Sequence, residues 1–292
     1  MTVSQQEKAT TSFPRILVFD SGIGGISVLH AIARQLPEAS FSYCADTEFW
    51  PYGDKSSDAI QQRLSEVLTA IDLEQHFDIA VIACNTASTS AIAHLRQQFS
   101  CLFVGVVPAI KPAAKLSQTK HIALLATENT VQGDYIEQLS KEFASDCIIT
   151  KFALPELVDI SETWYLSDCN NTQSQQLMLL DQLTSKLKSH PLAEEIDTVV
   201  LGCTHFPLMQ SQLAERWPKP NFWIDSADAI AQRVRHLATG LSAKPQIQES
   251  KAILFTTSAL TKKQSAWLQA LDFANISEYQ QLKLKGKTTS SY

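Results

Sequence analysis

DIAVIACNTAS, residues 78–88, decides the fold of this chain, because it joins an uninterrupted apolar run to a small polar segment that can begin a helix. The same arrangement returns at residues 197–207, DTVVLGCTHFP. Apolar runs without alternating polar positions are typical of parallel strands buried on both faces of a sheet. The two stretches therefore indicate an α/β protein with parallel sheets, and their likeness suggests an internal duplication.

Apolar, β-branched runs alternate with longer amphipathic stretches along the chain, which is the pattern of strand–helix–strand units. The predicted strands are 15–19, 41–45, 78–83, 102–106, 121–126, 147–152, 197–202, 221–225 and 252–256. The predicted helices are 25–36, 57–75, 87–99, 131–143, 173–188, 208–217 and 226–238, with a loop at 170–176. Open α/β sheets bind ligands at the carboxyl ends of their strands. We therefore expect two similar, doubly wound, mostly parallel-sheet domains with the active site in the cleft between them.

Composition restricts the class of protein. The chain has 292 residues, 45% of them hydrophobic, which is enough for two ordinary domains with their own cores. A formal net charge of −6, with both signs mixed along the chain, argues against nucleic acid as the main partner. No apolar run is long enough to cross a bilayer, and the opening MTVSQQEKATTS lacks the pattern of a secretory signal. We expect a cytoplasmic protein without a membrane partner, and a polar tail at residues 1–12.

The chain has six cysteines, none in a C-x-x-C pair and none at the spacing of a metal site, so no metal is predicted. A single reduced cysteine is usually a small core residue. Four keep that interpretation because no catalytic group neighbours them: Cys44, Cys101, Cys147 and Cys169. Cys84 and Cys203 differ, since each follows an apolar strand and precedes a predicted helix start, where the pKa of a thiol is lowered.

Two cysteines in matching positions favour a two-base reaction at one carbon. Inverting an amino acid requires one proton to leave Cα and another to arrive on the opposite face, which two bases on facing walls can do without moving. Cys84 and Cys203 would begin as one thiolate and one thiol, with Asp20 and His205 available to adjust them. A Cys–His hydrolase at Cys203 is the alternative, but such an enzyme needs only one cysteine of this kind.

A glycine-rich turn, DSGIGG at residues 20–25, follows the first predicted strand. It partly matches the dinucleotide-binding pattern G-x-G-x-x-G but lacks the third glycine, so a tight turn without a ligand is the other interpretation. After the second strand, the loop Pro51-Tyr52-Gly53 offers a hydroxyl and a backbone N–H that could bind a carboxylate. No lysine lies in these motifs to hold pyridoxal phosphate, so we expect a reaction without a cofactor.

Taken together, DSGIGG, PYG, ACNTAS, GVVPAIKPA and GCTHFPL resemble, in this order and spacing, the bacterial glutamate racemases of the aspartate/glutamate racemase superfamily. The resemblance covers about residues 14–257. It implies a first domain of 13–107 plus 219–275, a second domain of 108–218, and a homodimer. It also implies that the enzyme makes D-glutamate for peptidoglycan, and hence for the cell wall and cell shape.

The resemblance also implies roles for individual residues. Cys84 would exchange the α-proton with D-glutamate and Cys203 with L-glutamate, assisted by Asp20 and His205 respectively. Glu162 matches an assisting glutamate of the family. The implied substrate contacts are Asp20, Ser21, Tyr52, Gly53, Asn85, Thr86, Thr204 and His205.

Two points remain open in the sequence. Glu128-Asn129-Thr130 stands where the family usually has a glycine, in a loop that could help to bind the substrate. The substrate could also be another amino acid such as aspartate, or the chain could be a binding or regulatory protein on a racemase scaffold.

Overall fold

The computed structural model describes residues 13–165, 170–241, 252–261 and 264–284. Ten strands form two parallel sheets within these ranges: β1 (Arg15–Asp20), β2 (Ser40–Ala45), β3 (Ile79–Ile82), β4 (Leu102–Gly105), β5 (His121–Ala126), β6 (Ile148–Ala153), β7 (Thr198–Leu201), β8 (Phe222–Ile224), β9 (Ile253–Thr256) and β10 (Glu278–Gln281). The first sheet has the order β10-β9-β2-β1-β3-β4, and the second has the order β6-β5-β7-β8. Every strand pair in both sheets is parallel, as predicted.

Eleven α-helices connect the described strands: α1 (Ile26–Gln35), α2 (Ser57–Glu74), α3 (Asn85–Gln98), α4 (Ile110–Leu116), α5 (Glu128–Gln132), α6 (Asp134–Phe143), α7 (Glu156–Tyr165), α8 (Asn170–Lys188), α9 (Gln210–Arg216), α10 (Ala227–Thr239) and α11 (Ala266–Leu271). Short 3-10 turns lie at Tyr52–Asp54, Phe206–Met209 and Asp272–Ala274. None of the helices in the described ranges is long and apolar enough to cross a membrane.

Each sheet separates two apolar cores, as a doubly wound fold requires. In β1, Ile16 and Val18 belong to one core, and Leu17 and Phe19 belong to another. Successive side chains of a strand point to opposite faces, so this alternation shows that helices cover both sides of the sheet. Strands β5 and β7 divide their residues between two further cores in the same way. The continuous apolar runs of the sequence are explained by this burial on both faces.

All nine predicted strands are present, with ends that differ by at most one residue. Strand β10 was not predicted, and neither were α4, α7 and α11. The predicted helix 131–143 corresponds to α6 and the last two residues of α5, with Gly133 between them, and the predicted loop at 170–176 is the first part of α8. The polar tail at 1–12 and Cys169 lie outside the described residues.

One domain boundary needs correction. The boundary at residue 219 assigned Phe222–Ile224 to the first domain, but this strand pairs in parallel with β7 of the second sheet. The chain reaches the first unit only afterwards, through α10, which packs against α1. The short strand therefore completes the edge of the second sheet before the chain returns.

Candidate active site

A cavity of about 380 Å³ lies between the two sheets at the carboxyl ends of their strands. Cys84 follows β3 of the first sheet, Cys203 follows β7 of the second, and both line this cavity. The other lining residues include all but one of the expected substrate contacts: Ser21, Tyr52, Gly53, Asn85, Thr86, Thr204 and His205. Parallel strands end at the same edge of a sheet, so the fold itself brings these distant motifs together.

Cys84 is the N-cap residue of α3, directly after β3. Burial raises the pKa of its thiol, and the negative charge of Asp20 raises it further. Hydrogen bonds from the Ala87 backbone and the Ser21 side chain act in the opposite direction without overcoming that rise. The helix N-terminus was expected to lower the pKa of this thiol, but the loss of water around the sulfur outweighs it. Cys84 is therefore a neutral thiol near neutral pH.

Cys203 has a different environment. Its Sγ lies 3.8 Å from His205 Nδ1, and His205 Nε2 lies 2.8 Å from Glu162 Oε1. Burial lowers the pKa of His205, but the hydrogen bonds and charges of Cys203 and Glu162 raise it well above its ordinary value. The imidazole is thus protonated near neutral pH, and it presents a positive partner to a thiolate at Cys203.

The duplication seen in the sequence is therefore only approximate. Cys84 begins a helix of 14 residues, whereas Cys203 is followed by the 3-10 turn Phe206–Met209 and only then by α9. A helix dipole needs several aligned peptides, so the long helix supports Cys84 more than the short turn supports Cys203. His205 supplies at the second cysteine the positive charge that the turn does not.

Asp20 ends β1 and is fully buried. One oxygen accepts from the Gly22 N–H at 2.9 Å, and the other accepts from the Thr204 hydroxyl at 3.0 Å. Burial raises the pKa of this carboxyl, while the charge of His205 and these hydrogen bonds lower it. Asp20 thereby joins the first unit to the second and places its charge beside Cys84. Its role in assisting Cys84 stays a prediction.

The glycine-rich turn is required for close approach between the two units. A Cβ atom on Gly24 would lie 2.6 Å from His205 Nδ1 and 2.7 Å from the Thr204 hydroxyl. A Cβ atom on Gly22 would overlap Glu162 Oε1. No glycine in the described ranges has a positive φ, so backbone conformation is not the reason for these glycines. The glycines accommodate residues of the second unit.

The dinucleotide interpretation of this turn is wrong. A phosphate cradle needs free backbone N–H groups at the turn. Here the Gly22 N–H donates to Asp20, and the Ile23 N–H donates to Glu162 Oε1 at 2.9 Å. Carboxylates of the protein itself occupy the positions that a phosphate would need.

The Tyr52 hydroxyl does not point its proton into the cavity. It donates to Asp46 Oδ2 at 2.7 Å, and Asp46 also accepts from Arg63 at 2.7 and 2.8 Å and from the Thr257 hydroxyl at 2.6 Å. The expectation that this hydroxyl donates to a substrate carboxylate is therefore not met in this structure. Tyr52 and Gly53 form part of the cavity wall, and the buried Asp46–Arg63 pair holds that wall in place.

The segment after β5 contributes more to the cavity than the sequence indicated. Thr127 lines the cavity, and its hydroxyl lies 3.3 Å from that of Thr86 and 3.2 Å from that of Thr130. The loss of glycine at Asn129 leaves this cluster intact, because the Asn129 side chain points away and donates to the Lys55 carbonyl. The hydroxyl groups of Thr86 and Thr127, which both line the cavity, suit a carboxylate.

Asn85 carries an unused acceptor. Its Oδ1 atom is buried and has no hydrogen-bond partner, although the residue lines the cavity. A buried polar atom without a partner is uncommon and costly. A donor such as an ammonium group in the cavity would satisfy it.

Acidic side chains surround the opening. The cavity lining includes four exposed carboxylates, of which only Glu128 was noted from the sequence: Asp54, Glu128, Glu156 and Asp159. Burial and the charge of Glu162 raise the pKa of Asp159. Within the described part of the chain, no three His, Cys, Asp or Glu side chains are grouped so as to hold a metal ion.

A buried cysteine on each wall of one cavity between two doubly wound sheets defines the class of an amino-acid racemase. The family model for Asp/Glu/Hydantoin racemase matches residues 16–234. The chain therefore belongs to the Asp/Glu/Hydantoin racemase family. Its curated relatives carry the name glutamate racemase, for example that of Histophilus somni, which is 39% identical over 264 residues, covering 89% of this chain and 94% of the relative.

Solved structures agree with this assignment. The glutamate racemase of Escherichia coli, in complex with L-glutamate and the activator UDP-MurNAc-Ala, has a TM-score of 0.84 and 36% identity, covering 94% of this chain and 100% of that one. The glutamate racemase isoform RacE1 of Bacillus anthracis has a TM-score of 0.76 and 26% identity, covering 93% and 98%.

Proposed function

We propose that this enzyme interconverts L- and D-glutamate, without a cofactor, by two-thiol proton transfer at Cα. The observation that carries the proposal is the pair of buried cysteines, Cys84 and Cys203, which come from the two units and line one cavity. The names of the relatives support glutamate over aspartate as the substrate. The D-glutamate made would enter peptidoglycan precursors; the cytoplasmic location and the homodimer remain predictions.

In the direction from L to D, Cys203 begins as the thiolate beside the His205 imidazolium. The sulfur takes the α-proton of L-glutamate, and the electron pair of the broken C–H bond stays on the substrate as a carbanion. The neutral thiol of Cys84 then gives its proton to the opposite face of the same carbon. The product is D-glutamate, with Cys203 as a thiol and Cys84 as a thiolate.

The reverse direction starts from that second protonation state. The Cys84 thiolate accepts hydrogen bonds from the Ala87 N–H and the Ser21 hydroxyl. The negative charge of Asp20 makes this sulfur a stronger base, because protonation of the thiolate ends the repulsion between two neighbouring negative charges. The two thiols thus have different neighbours. A cation, His205, lies beside Cys203, whereas an anion, Asp20, and two hydrogen-bond donors lie beside Cys84.

Substrate orientation follows from the polar atoms of the wall. The unpartnered Asn85 Oδ1 would accept from the α-ammonium group. The hydroxyl groups of Thr86 and Thr127 and the Gly53 N–H are donors for the two carboxylates of glutamate. Asp20 is committed to Gly22 and Thr204, so we assign it to the support of Cys84 rather than to direct binding.

The test is proton exchange in deuterated water with each single-cysteine variant. Wild-type enzyme should convert either enantiomer to the other, with one deuterium at Cα. Cys84→Ser and Cys203→Ser should each lose racemisation by at least about a hundredfold, as expected when an essential acid or base is removed. Near-normal racemisation by either variant, or better kcat/KM for aspartate than for glutamate, would contradict the proposal.

A further inference from the structure

The peptide bond between Gly22 and Ile23 is hydrogen-bonded at both ends. Its carbonyl oxygen accepts from the Tyr43 hydroxyl at 2.8 Å. Its N–H donates to Glu162 Oε1 at 2.9 Å. One peptide of the first unit therefore connects a tyrosine of β2 with a glutamate of α7 in the second unit.

Glu162 passes this connection on to the second cysteine. The oxygen that accepts from Ile23 also contacts His205 Nε2 at 2.8 Å, and His205 Nδ1 lies 3.8 Å from Cys203 Sγ. Hydrogen bonds in series polarise one another, so a donor at one end strengthens the bonds that follow. The series reaches the sulfur only while the two units are packed together as they are here.

Tyr43 is held firmly at the start of this series. Its side chain is fully buried in the core of the first unit, and the Gly25 backbone N–H also hydrogen-bonds its hydroxyl. Burial and nearby negative charges raise the pKa of the phenol well above its ordinary value. The hydroxyl is therefore a neutral donor near neutral pH.

We propose that Tyr43 is a positioning residue for the Cys203 half of the reaction, acting through the Gly22–Ile23 peptide to keep Glu162 aligned with His205. This inference rests on the proposed function only for the role of Cys203. Tyr43 touches neither sulfur nor the cavity, so it takes no part in proton transfer itself.

The groups that face His205 make the proposal testable. Negative charge reaches the imidazole from Glu162 and Asp159 on α7, from Asp20 at the end of β1 and from Cys203 in its own segment. Tyr43 is neutral, so its hydroxyl changes none of these charges. Removing it alters the protonation of His205 only by disturbing the position of Glu162.

The experiment compares Tyr43→Phe with wild-type protein by NMR titration of the His205 imidazole nitrogens, assigned by their absence in His205→Gln. The ring remains, and the hydroxyl is lost. We expect the titration midpoint of His205 to fall, and kcat/KM to fall about threefold to tenfold, the range for one hydrogen bond. Tyr279→Phe is the matched control, because this partly exposed tyrosine of β10 loses only weak bonds far from the cavity.

A second variant tests the same link from the other side. Glu162→Asp keeps the charge but shortens the reach to Ile23, so it should lower the His205 midpoint as well. In a Glu162→Gln background, Tyr43→Phe should cause no further change, since the two act in series. Additive effects on the midpoint, or an unchanged midpoint in a folded Tyr43→Phe protein, would overturn the inference. The titration needs no substrate, so its outcome is separate from whether the enzyme racemises glutamate.

Discussion

The Thr204 hydroxyl of the second unit donates to the Asp20 carboxylate of the first at 3.0 Å, across the floor of the cleft. Asp20 is the last residue of β1 and lies near Cys84, whereas Thr204 adjoins Cys203 in the segment that follows β7. The bond fixes the two walls relative to each other. The distance between the two sulfurs therefore depends on contacts between the units rather than on either unit alone.

We expect Asp20→Asn to weaken the base at Cys84. The amide keeps the shape but removes the charge that raises the pKa of this thiol, so that pKa should fall. A loss of about one pKa unit of base strength corresponds to about 1.4 kcal/mol, or tenfold in rate. The measurements are kcat/KM and the pH dependence of Cys84 alkylation, followed by mass spectrometry.

The control for that variant is Asp78→Asn. Asp78 pairs with Arg15 at the opposite end of β1 and lies far from the cavity. It should leave the alkylation midpoint of Cys84 unchanged. An equal shift in both variants would show that Asp20 acts on the fold rather than on Cys84.

Gly24→Ala should abolish most of the activity while leaving each sheet folded. The new methyl group would press on the buried His205 ring and on the Thr204 hydroxyl, and neither has room to retreat. We expect kcat/KM to fall about a hundredfold, because catalysis depends on sub-ångström placement of the reacting groups. Gly240→Ala, where a Cβ atom meets only the Leu237 carbonyl at 3.4 Å, should be close to wild type. Wild-type activity in Gly24→Ala would mean that the cleft is wider than the structure shows.

Glu162→Gln should lower the pKa of His205, because Glu162 is one of the groups that raise it. The imidazolium would then lose its proton at a lower pH, and the alkaline limb of kcat/KM should move to lower pH. A pH–rate profile of wild type and variant measures this shift. The prediction fails if the two alkaline limbs coincide.

The same shift predicts how stability depends on pH. A histidine with a raised pKa in the folded state stabilises that state fully below about pH 6.5, its unfolded pKa, and loses the effect as pH rises through the folded pKa. Wild-type protein should therefore exceed Glu162→Gln in free energy of unfolding most at about pH 6. The difference should shrink towards alkaline pH in urea denaturation series.

Arg63→Met should destabilise the fold strongly. Arg63 pairs with the fully buried Asp46, which would be left as an unpaired buried charge. Removing one partner of such a pair costs about 3–5 kcal/mol. The Tyr52 segment should also loosen, since Asp46 holds its hydroxyl, and KM should rise. Arg34→Met, which breaks an exposed pair with Asp228, should change the free energy of unfolding by less than about 1 kcal/mol.

Most of the fold followed from the sequence, because parallel strands buried on both faces must be apolar throughout. Strand β10 escaped prediction because it is an edge strand of mostly polar residues, Glu278–Gln281, with little apolar surface to reveal it. Helix α4 escaped because Ile110–Leu116 is short and contains a proline.

The site was predicted where a motif followed a strand end, as at Cys84 and Cys203. Residues that support the site from within strands or helices could not be recognised in this way, because no motif in the sequence marks them. Tyr43 lies inside β2, and Asp46 and Arg63 form a pair across 17 positions of sequence. Only the packing brings Tyr43 to the Gly22 carbonyl and Asp46 to the Tyr52 hydroxyl. The raised pKa of the Cys84 thiol also depends on burial, which a helix start in the sequence does not reveal.

The acidic rim of Asp54, Glu128, Glu156 and Asp159 has a consequence for turnover. Two mirror-image forms of one amino acid have equal free energy in water, so a racemase gains no driving force from its product. Product and substrate also carry the same charges. An enzyme that bound the substrate tightly through these charges would bind the product tightly as well, and would stay occupied by it. Carboxylates at the entrance repel both anions alike. They would speed the release of product as much as they slow the binding of substrate, so the product would not saturate the cleft.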